Sequence, residues 1–172
     1  GLTLLSSMFL HSGVLHLIGN LYFLLICGDN VEDEFGRGKY ILLLLASGLC
    51  ASLFHALFDP RTEIPCVGAS GFISGVIACY AVCFPRVRLS FMLISRSVFG
   101  AILARRNWFS IPAWGAFAFW VVLQIVMAFL PRSGGGVAYL AHLGGALPGL
   151  LWAFHHRFAP KSPSYDSSEY RS

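Results

Sequence analysis

Apolar residues along this chain gather into five long blocks separated by shorter polar stretches, and the length of the blocks is the first structural signal. A helix rising about 1.5 Å per residue needs roughly 20 apolar residues to cross a hydrocarbon core about 30 Å thick. The pattern predicts spans at Leu15 to Cys27, Tyr40 to Phe58, Ser70 to Phe84, Pro112 to Leu130 and Val137 to about Phe154. A less regular apolar approach from Leu2 to Gly13 is expected at the interface. Between the first two spans, Gly28 to Lys39 holds Asp29, Glu32, Asp33, Glu34 and Arg37 and reads as an aqueous loop. Asp59 to Val67 contains two prolines, which stop a helix. Pro85 to Ile111 mixes arginines with apolar residues and reads as an interfacial strand or amphipathic segment. The glycines at 134–136 predict a mobile loop that could act as a gate beside the fourth span. The third block is short for a crossing, so its beginning, Ser70, is expected inside the membrane.

Composition sharpens this picture. The chain of 172 residues is 56% hydrophobic and 12% charged, with a mean hydropathy of +0.70, which excludes an ordinary soluble domain. A net charge of +4 is then read loop by loop and not as a nucleic-acid signature. With alternating crossings, Arg37, Lys39, Arg86, Arg88, Arg96, Arg105, Arg106, Arg157, Lys161 and Arg171 fall on one side, and only Arg61 and Arg132 on the other. The richer side is expected to be cytoplasmic. Five cysteines without a C-x-x-C pair support neither a disulfide framework nor a zinc site. No basic, cleavable leader precedes the first apolar run, and the chain reads as a fragment. Its expected organisation is one transmembrane domain over residues 1–158 and a polar, disordered cytoplasmic tail over 159–172.

All eight carboxylates and both lysines fall outside the expected spans. That removes an intramembrane aspartate pair, a Ser-Lys dyad and a carboxylate proton relay, and no H-E-x-x-H is present for a zinc protease. Histidine, asparagine and serine remain as the polar residues inside the spans. His16 and Asn20 are four apart and share a helix face, His142 lies near the start of the last span, and the derived topology puts all three at the same depth as Ser70. Interhelical hydrogen bonding alone would account for any one of these residues.

Small residues offer a way to bring them together. Gly71, Gly75 and Cys79 recur at every fourth position of the third span, and Ala141, Gly145 and Gly149 do so in the last, as in helices that approach closely. Docking the two stripes would bring the Ser70 hydroxyl to the His142 imidazole. Ser70 also opens a helix, where backbone N–H groups lack intrahelical partners and favour an anion. A plain N-cap would explain a serine there, but an oxyanion site beside a nucleophile would also use the flanking Gly68 and Gly71 and the matching depth of His142.

Four motifs, in this order, resemble those of the rhomboid intramembrane serine proteases. They are His11-Ser-Gly-Val-Leu-His16-Leu-Ile-Gly-Asn20, Gly28-Asp-Asn-Val-Glu32 through Gly36-Arg-Gly-Lys39, Gly68-Ala-Ser70-Gly71, and Ala141-His142-Leu-Gly-Gly145 with Gly149. The resemblance implies an all-helical polytopic bundle with five of the six family spans present and the first missing. It implies Ser70 as nucleophile and His142 as general base. It further implies that His16, Asn20 and the Ser70 N–H hold the oxyanion, with no cofactor and no metal. The implied partners are transmembrane protein substrates, cut near the extracytoplasmic face and with a small residue before the cut, and the lipid bilayer; the implied location is a bacterial inner membrane. Some members carry an aromatic residue four positions after the nucleophile, packed on the catalytic histidine, where this chain has Ser74. Two rivals are a non-catalytic relative that binds or remodels membrane helices and a solute channel or metal transporter using His16, His55 and His142.

Overall fold

The computed structural model describes residues 10–11, 13–58, 69–92, 108–130 and 139–158. Among the described residues five helices form the bundle: α1 Val14–Phe35, α2 Arg37–Phe58, α3 Ser70–Cys83, α4 Ala113–Phe129 and α5 Tyr139–Phe158. A hairpin of β1 Arg88–Met92 and β2 Trp108–Pro112 joins α3 to α4, antiparallel in the register Arg88 opposite Pro112 and Ser90 opposite Ser110. Ser90 and Ser110 exchange a hydroxyl hydrogen bond at 2.8 Å. The strand anticipated in this region is therefore present, paired with a second one. The expected loops at Asp59–Val67 and Pro131–Gly136, including the glycine gate, and the tail after Pro160 lie outside the described residues, as do Cys66 and Gly68.

The polar stretch after the first span differs from expectation. It is not a loop: α1 runs on without interruption through Phe35, and Arg37 opens α2. The cause is a stripe at helical spacing, Cys27, Val31 and Phe35. Cys27 and Val31 are buried, and the Phe35 ring packs against those of Trp152 and His156 on α5. Asp29 and Asp33 are exposed on the outer face of these last turns, and half-buried Glu32 forms an ion pair with exposed Arg37 at 3.2 Å. Gly36 turns the chain with φ +79°, a region that any side chain with a Cβ enters at a cost.

Burial is inverted relative to a water-soluble bundle. Leucines on α1 and α2 such as Leu15, Leu25, Leu42 and Leu53 are exposed, whereas Asn20, Ser47, Ser74, Gln124 and His142 are buried. That is the arrangement expected when lipid is the surrounding solvent, because polar groups in hydrocarbon must find partners inside the protein. Among the described residues two helices, α1 and α2, are long and apolar enough to cross a membrane by length and composition, and α3 and α4 are shorter apolar helices. Helix α3 is central: eight of its fourteen residues are buried, and α1, α2, α4 and α5 all pack on it.

The two small-residue stripes meet as anticipated. A Cβ placed on Gly145 would collide with the backbone of Gly71, and one on Gly149 with the backbone of Gly75. The second span adds a third wall to this contact. A Cβ on Gly75 would strike the Ser47 side chain, one on Gly71 would come within 2.7 Å of the Ala51 Cβ, and one on Gly144 would strike Phe54. Helices α2, α3 and α5 thus touch nearly backbone to backbone, and dispersion between close surfaces takes the place of a hydrophobic drive that lipid does not supply.

Opposite helix ends meet in two layers. At one end the Glu34 carboxylate on α1 and His156 on α5 lie 2.8 Å apart, and Arg157 donates to the Val82 carbonyl near the end of α3 at 2.7 Å. The other end gathers the residues singled out for chemistry.

Candidate active site

At fourteen residues, α3 is about 21 Å long at roughly 1.5 Å per residue, well short of the hydrocarbon thickness. Its first residue, Ser70, accordingly lies within the bundle. Ala69 is the N-cap position, with no side-chain cap, so Ser70 does not cap the helix. The first intrahelical hydrogen bond runs from the Ile73 N–H to the Ala69 carbonyl at 3.0 Å, which leaves the N–H groups of Ser70 and Gly71 pointing out of the helix end.

The Ser70 hydroxyl instead meets the imidazole of α5. Ser70 Oγ and His142 Nε2 are 2.8 Å apart, across 72 residues of sequence. The stripe contact sets this distance: Gly71 and Gly145, one position after Ser70 and three after His142, are in backbone contact, so the two side chains at the rim of the seam converge.

His16 and Asn20 come to the same place from α1. With Ser70, Ser74, Trp120 and His142 they line a cavity of about 280 Å³. Asn20 is buried, and its amide nitrogen has no hydrogen-bond partner among the described residues. A buried donor of this kind is costly unless something accepts from it. His16 is half-buried, edge-on to the His11 ring at 5.3 Å between centroids. The sequence-derived set Ser70, His142, His16 and Asn20 therefore converges, while Gly71, Gly75, Gly145 and Gly149 form the seam beneath it and Ala141 is buried on α5. His55, on α2, does not line the cavity.

Two partners of His142 were not anticipated. Its Nδ1 lies 2.9 Å from Oε1 of Gln124 on α4, and the Trp120 ring, one turn earlier on that helix, sits 6.1 Å from the imidazole at 32°. Histidine, asparagine and serine are thus not the full set of polar side chains in the spans; a glutamine belongs to it as well. Its signal was available, since Gln124 is the one amide in the run Ala113–Phe129. Ser74 makes a different contact from an aromatic residue: its hydroxyl donates back to the Ser70 carbonyl at 2.6 Å, and Trp120 on α4 supplies the ring beside His142.

A second cavity, of about 520 Å³ and nearly all apolar, lies between α1, α3, α4 and the hairpin and reaches His142 from the side of Phe23, Phe117 and Leu123. Among the described residues no group of three histidine, cysteine or carboxylate side chains is placed to hold a metal ion. The chemistry within reach is that of a hydroxyl activated by an imidazole, with amide and backbone donors beside it.

Comparison with known proteins agrees with this architecture. The Rhomboid domain profile matches residues 1–157. Similar proteins include RHOMBOID-like protein 6, mitochondrial, of Arabidopsis thaliana, 29% identical over 159 residues, covering 92% of this chain and 45% of the relative. Rhomboid-related protein 2 of Mus musculus is 30% identical over 156 residues, covering 85% and 45% respectively. Rhomboid protein 1, mitochondrial, of Saccharomyces cerevisiae is 26% identical over 158 residues, covering 90% and 41%. The chain thus spans less than half the length of these relatives. With a match over nearly its whole length and a helical bundle in its structure, this membrane protein belongs to the rhomboid family.

Proposed function

We propose that the protein is an intramembrane serine endopeptidase that cuts transmembrane segments of other membrane proteins through a Ser70–His142 dyad. The observation that carries this reading is the 2.8 Å contact between Ser70 Oγ and His142 Nε2 in a cavity within the bundle. His142 Nε2 takes the hydroxyl proton as Ser70 Oγ attacks a peptide carbonyl. The resulting oxyanion is held by the Asn20 amide, His16 and the Ser70 N–H. His142 returns the proton to the departing amine, and water, activated by the same imidazole, releases the acyl group. A carboxylate is not needed at any step.

A substrate helix shields its carbonyls in its own hydrogen bonds, so the segment must unwind before attack. Segments carrying glycine, proline or polar residues near the membrane face fit this demand, and the apolar cavity beside His142 offers side chains of the unwound stretch a place out of water. The distribution of arginine and lysine supports a cytoplasmic side at Glu34, Arg37 and Arg157 and a site opening on the opposite face. A bacterial inner membrane finds no support among the relatives, which are eukaryotic and in two cases carry mitochondrial in their names.

In membranes or detergent, Ser70→Ala and His142→Ala are expected to abolish cleavage of a reporter membrane segment at unchanged expression. A serine-reactive phosphonate should label the protein and fail to label Ser70→Ala. A non-catalytic helix-binding relative would show neither cleavage nor Ser70-dependent labelling, and that result would sink the protease reading.

A further inference from the structure

Helix α4 buries little of its length: Ala113 and Gln124 are its only buried residues. Burying an amide within a lipid-crossing bundle is costly unless it is hydrogen-bonded. The contact shown for Gln124 is with His142 Nδ1, at 2.9 Å. The amide oxygen facing that nitrogen can only accept. In that arrangement Nδ1 would carry the ring proton and donate it to Gln124, leaving a lone pair on Nε2, 2.8 Å from Ser70 Oγ, to accept from the serine hydroxyl.

Remove the acceptor and the ring has a second option. A neutral imidazole protonated on Nε2 would donate to Ser70 Oγ and could not take its proton. Ser74 supplies no ring contact to oppose that change, since its hydroxyl is engaged with the Ser70 carbonyl. Trp120, on the same face of α4 one turn away, limits tilting of the imidazole but offers it no acceptor oxygen.

We propose that Gln124 is a positioning residue that fixes His142 as the Nδ1–H tautomer, so that a side chain on α4 orients the base for a serine on α3. The inference rests on the protease reading for its functional meaning, but its geometric content can be tested without activity.

The test is ¹⁵N-histidine NMR of the detergent-solubilised protein, with the His142 signals assigned by their loss in His142→Asn, together with kcat and KM for a reporter membrane segment. The wild type is expected to show a protonated Nδ1 and an unprotonated Nε2. Gln124→Leu, which removes a polar group from an apolar helix and should insert normally, is expected to lose that signature. Its kcat should fall by about 10- to 100-fold, the loss found when a histidine ligand in a metal site is deprived of its outer hydrogen-bond partner, while KM stays within about twofold. Gln124→Glu keeps an acceptor oxygen and should retain the Nδ1–H signature. Unchanged ring signals in Gln124→Leu would overturn the proposal, whether or not kcat falls, because a loss of rate would then come from packing. If the wild type neither cleaves nor takes the phosphonate, the protease reading fails while the ring signals still decide the role of Gln124.

Discussion

The Ser70 hydroxyl and the His142 imidazole are ordinary groups whose meaning comes from where they stand. Ser70 is the first residue of a buried helix, and its Oγ lies 2.8 Å from Nε2. Both were legible in the sequence, because a glycine-flanked serine before a short apolar block and a histidine at matching depth survive once carboxylates and lysines are excluded from the spans. Asn20 was legible through its i, i+4 relation to His16, and its buried amide nitrogen, without a partner among the described residues, is consistent with the proposed donor role. Asn20→Ala should lower kcat by about 10² to 10³, the usual cost of one oxyanion donor, with little change in KM. Steady-state kinetics on a reporter segment would check this, and an unchanged kcat would remove Asn20 from the role. Gln124 was passed over although the amide stands alone in its helix. Only the fold shows that it faces a histidine 18 residues away and not lipid.

At the scale of elements, the glycine stripes are a steric statement. Gly145 and Gly149 have no room for a Cβ because the backbone of α3 occupies the space, whereas Gly38, near the start of α2, has nothing within 4 Å. Gly149→Ala should therefore cost about 1–3 kcal/mol by overpacking, felt through the α3–α5 seam. Gly38→Ala should be neutral or stabilising by up to about 1 kcal/mol. Thermal denaturation in detergent distinguishes them, and equal shifts in the two variants would contradict the seam. The stripes on α3 and α5 were readable as a period of four. The part played by Ser47, Ala51 and Phe54 was not, because small residues on α2 become informative only when two other helices are seen to press on them. The reading of Gly28–Lys39 as a loop erred for a related reason. The charges of Asp29, Glu32 and Glu34 suggest a loop and the Cys27, Val31 and Phe35 stripe a helix, and a helix packed on one face and charged on the other carries both patterns at once.

For the whole molecule, the inverted burial and the arginine distribution make one prediction about sidedness. In a background with the native cysteines replaced, a reporter cysteine at Lys39 is expected to react with an impermeant maleimide only from the cytoplasmic side, and one at Gly13 only from the other. The opposite labelling would reverse the topology. In the native chain Cys27 and Cys79 are buried within the bundle and should resist the same reagent until the protein is unfolded, while half-buried Cys50 should not be shielded to that degree.

Sequence alone set out the apolar blocks and their lengths, the uneven distribution of arginine and lysine among the stretches between them, and most of the polar residues that gather at the candidate site. These are read through transfer free energies and helix length, which depend on residue type and spacing and hardly at all on the partner helix. Tertiary structure alone decided what each of those residues meets. The backbone contact of α3 with α5 brings Ser70 to His142, α1 turns Asn20 into their cavity, and α4 sets an amide oxygen against the far side of the imidazole. Hydrogen bonds have a range of about 3 Å and a direction, so they depend on how helices distant in sequence are packed, which no pattern within a single helix specifies.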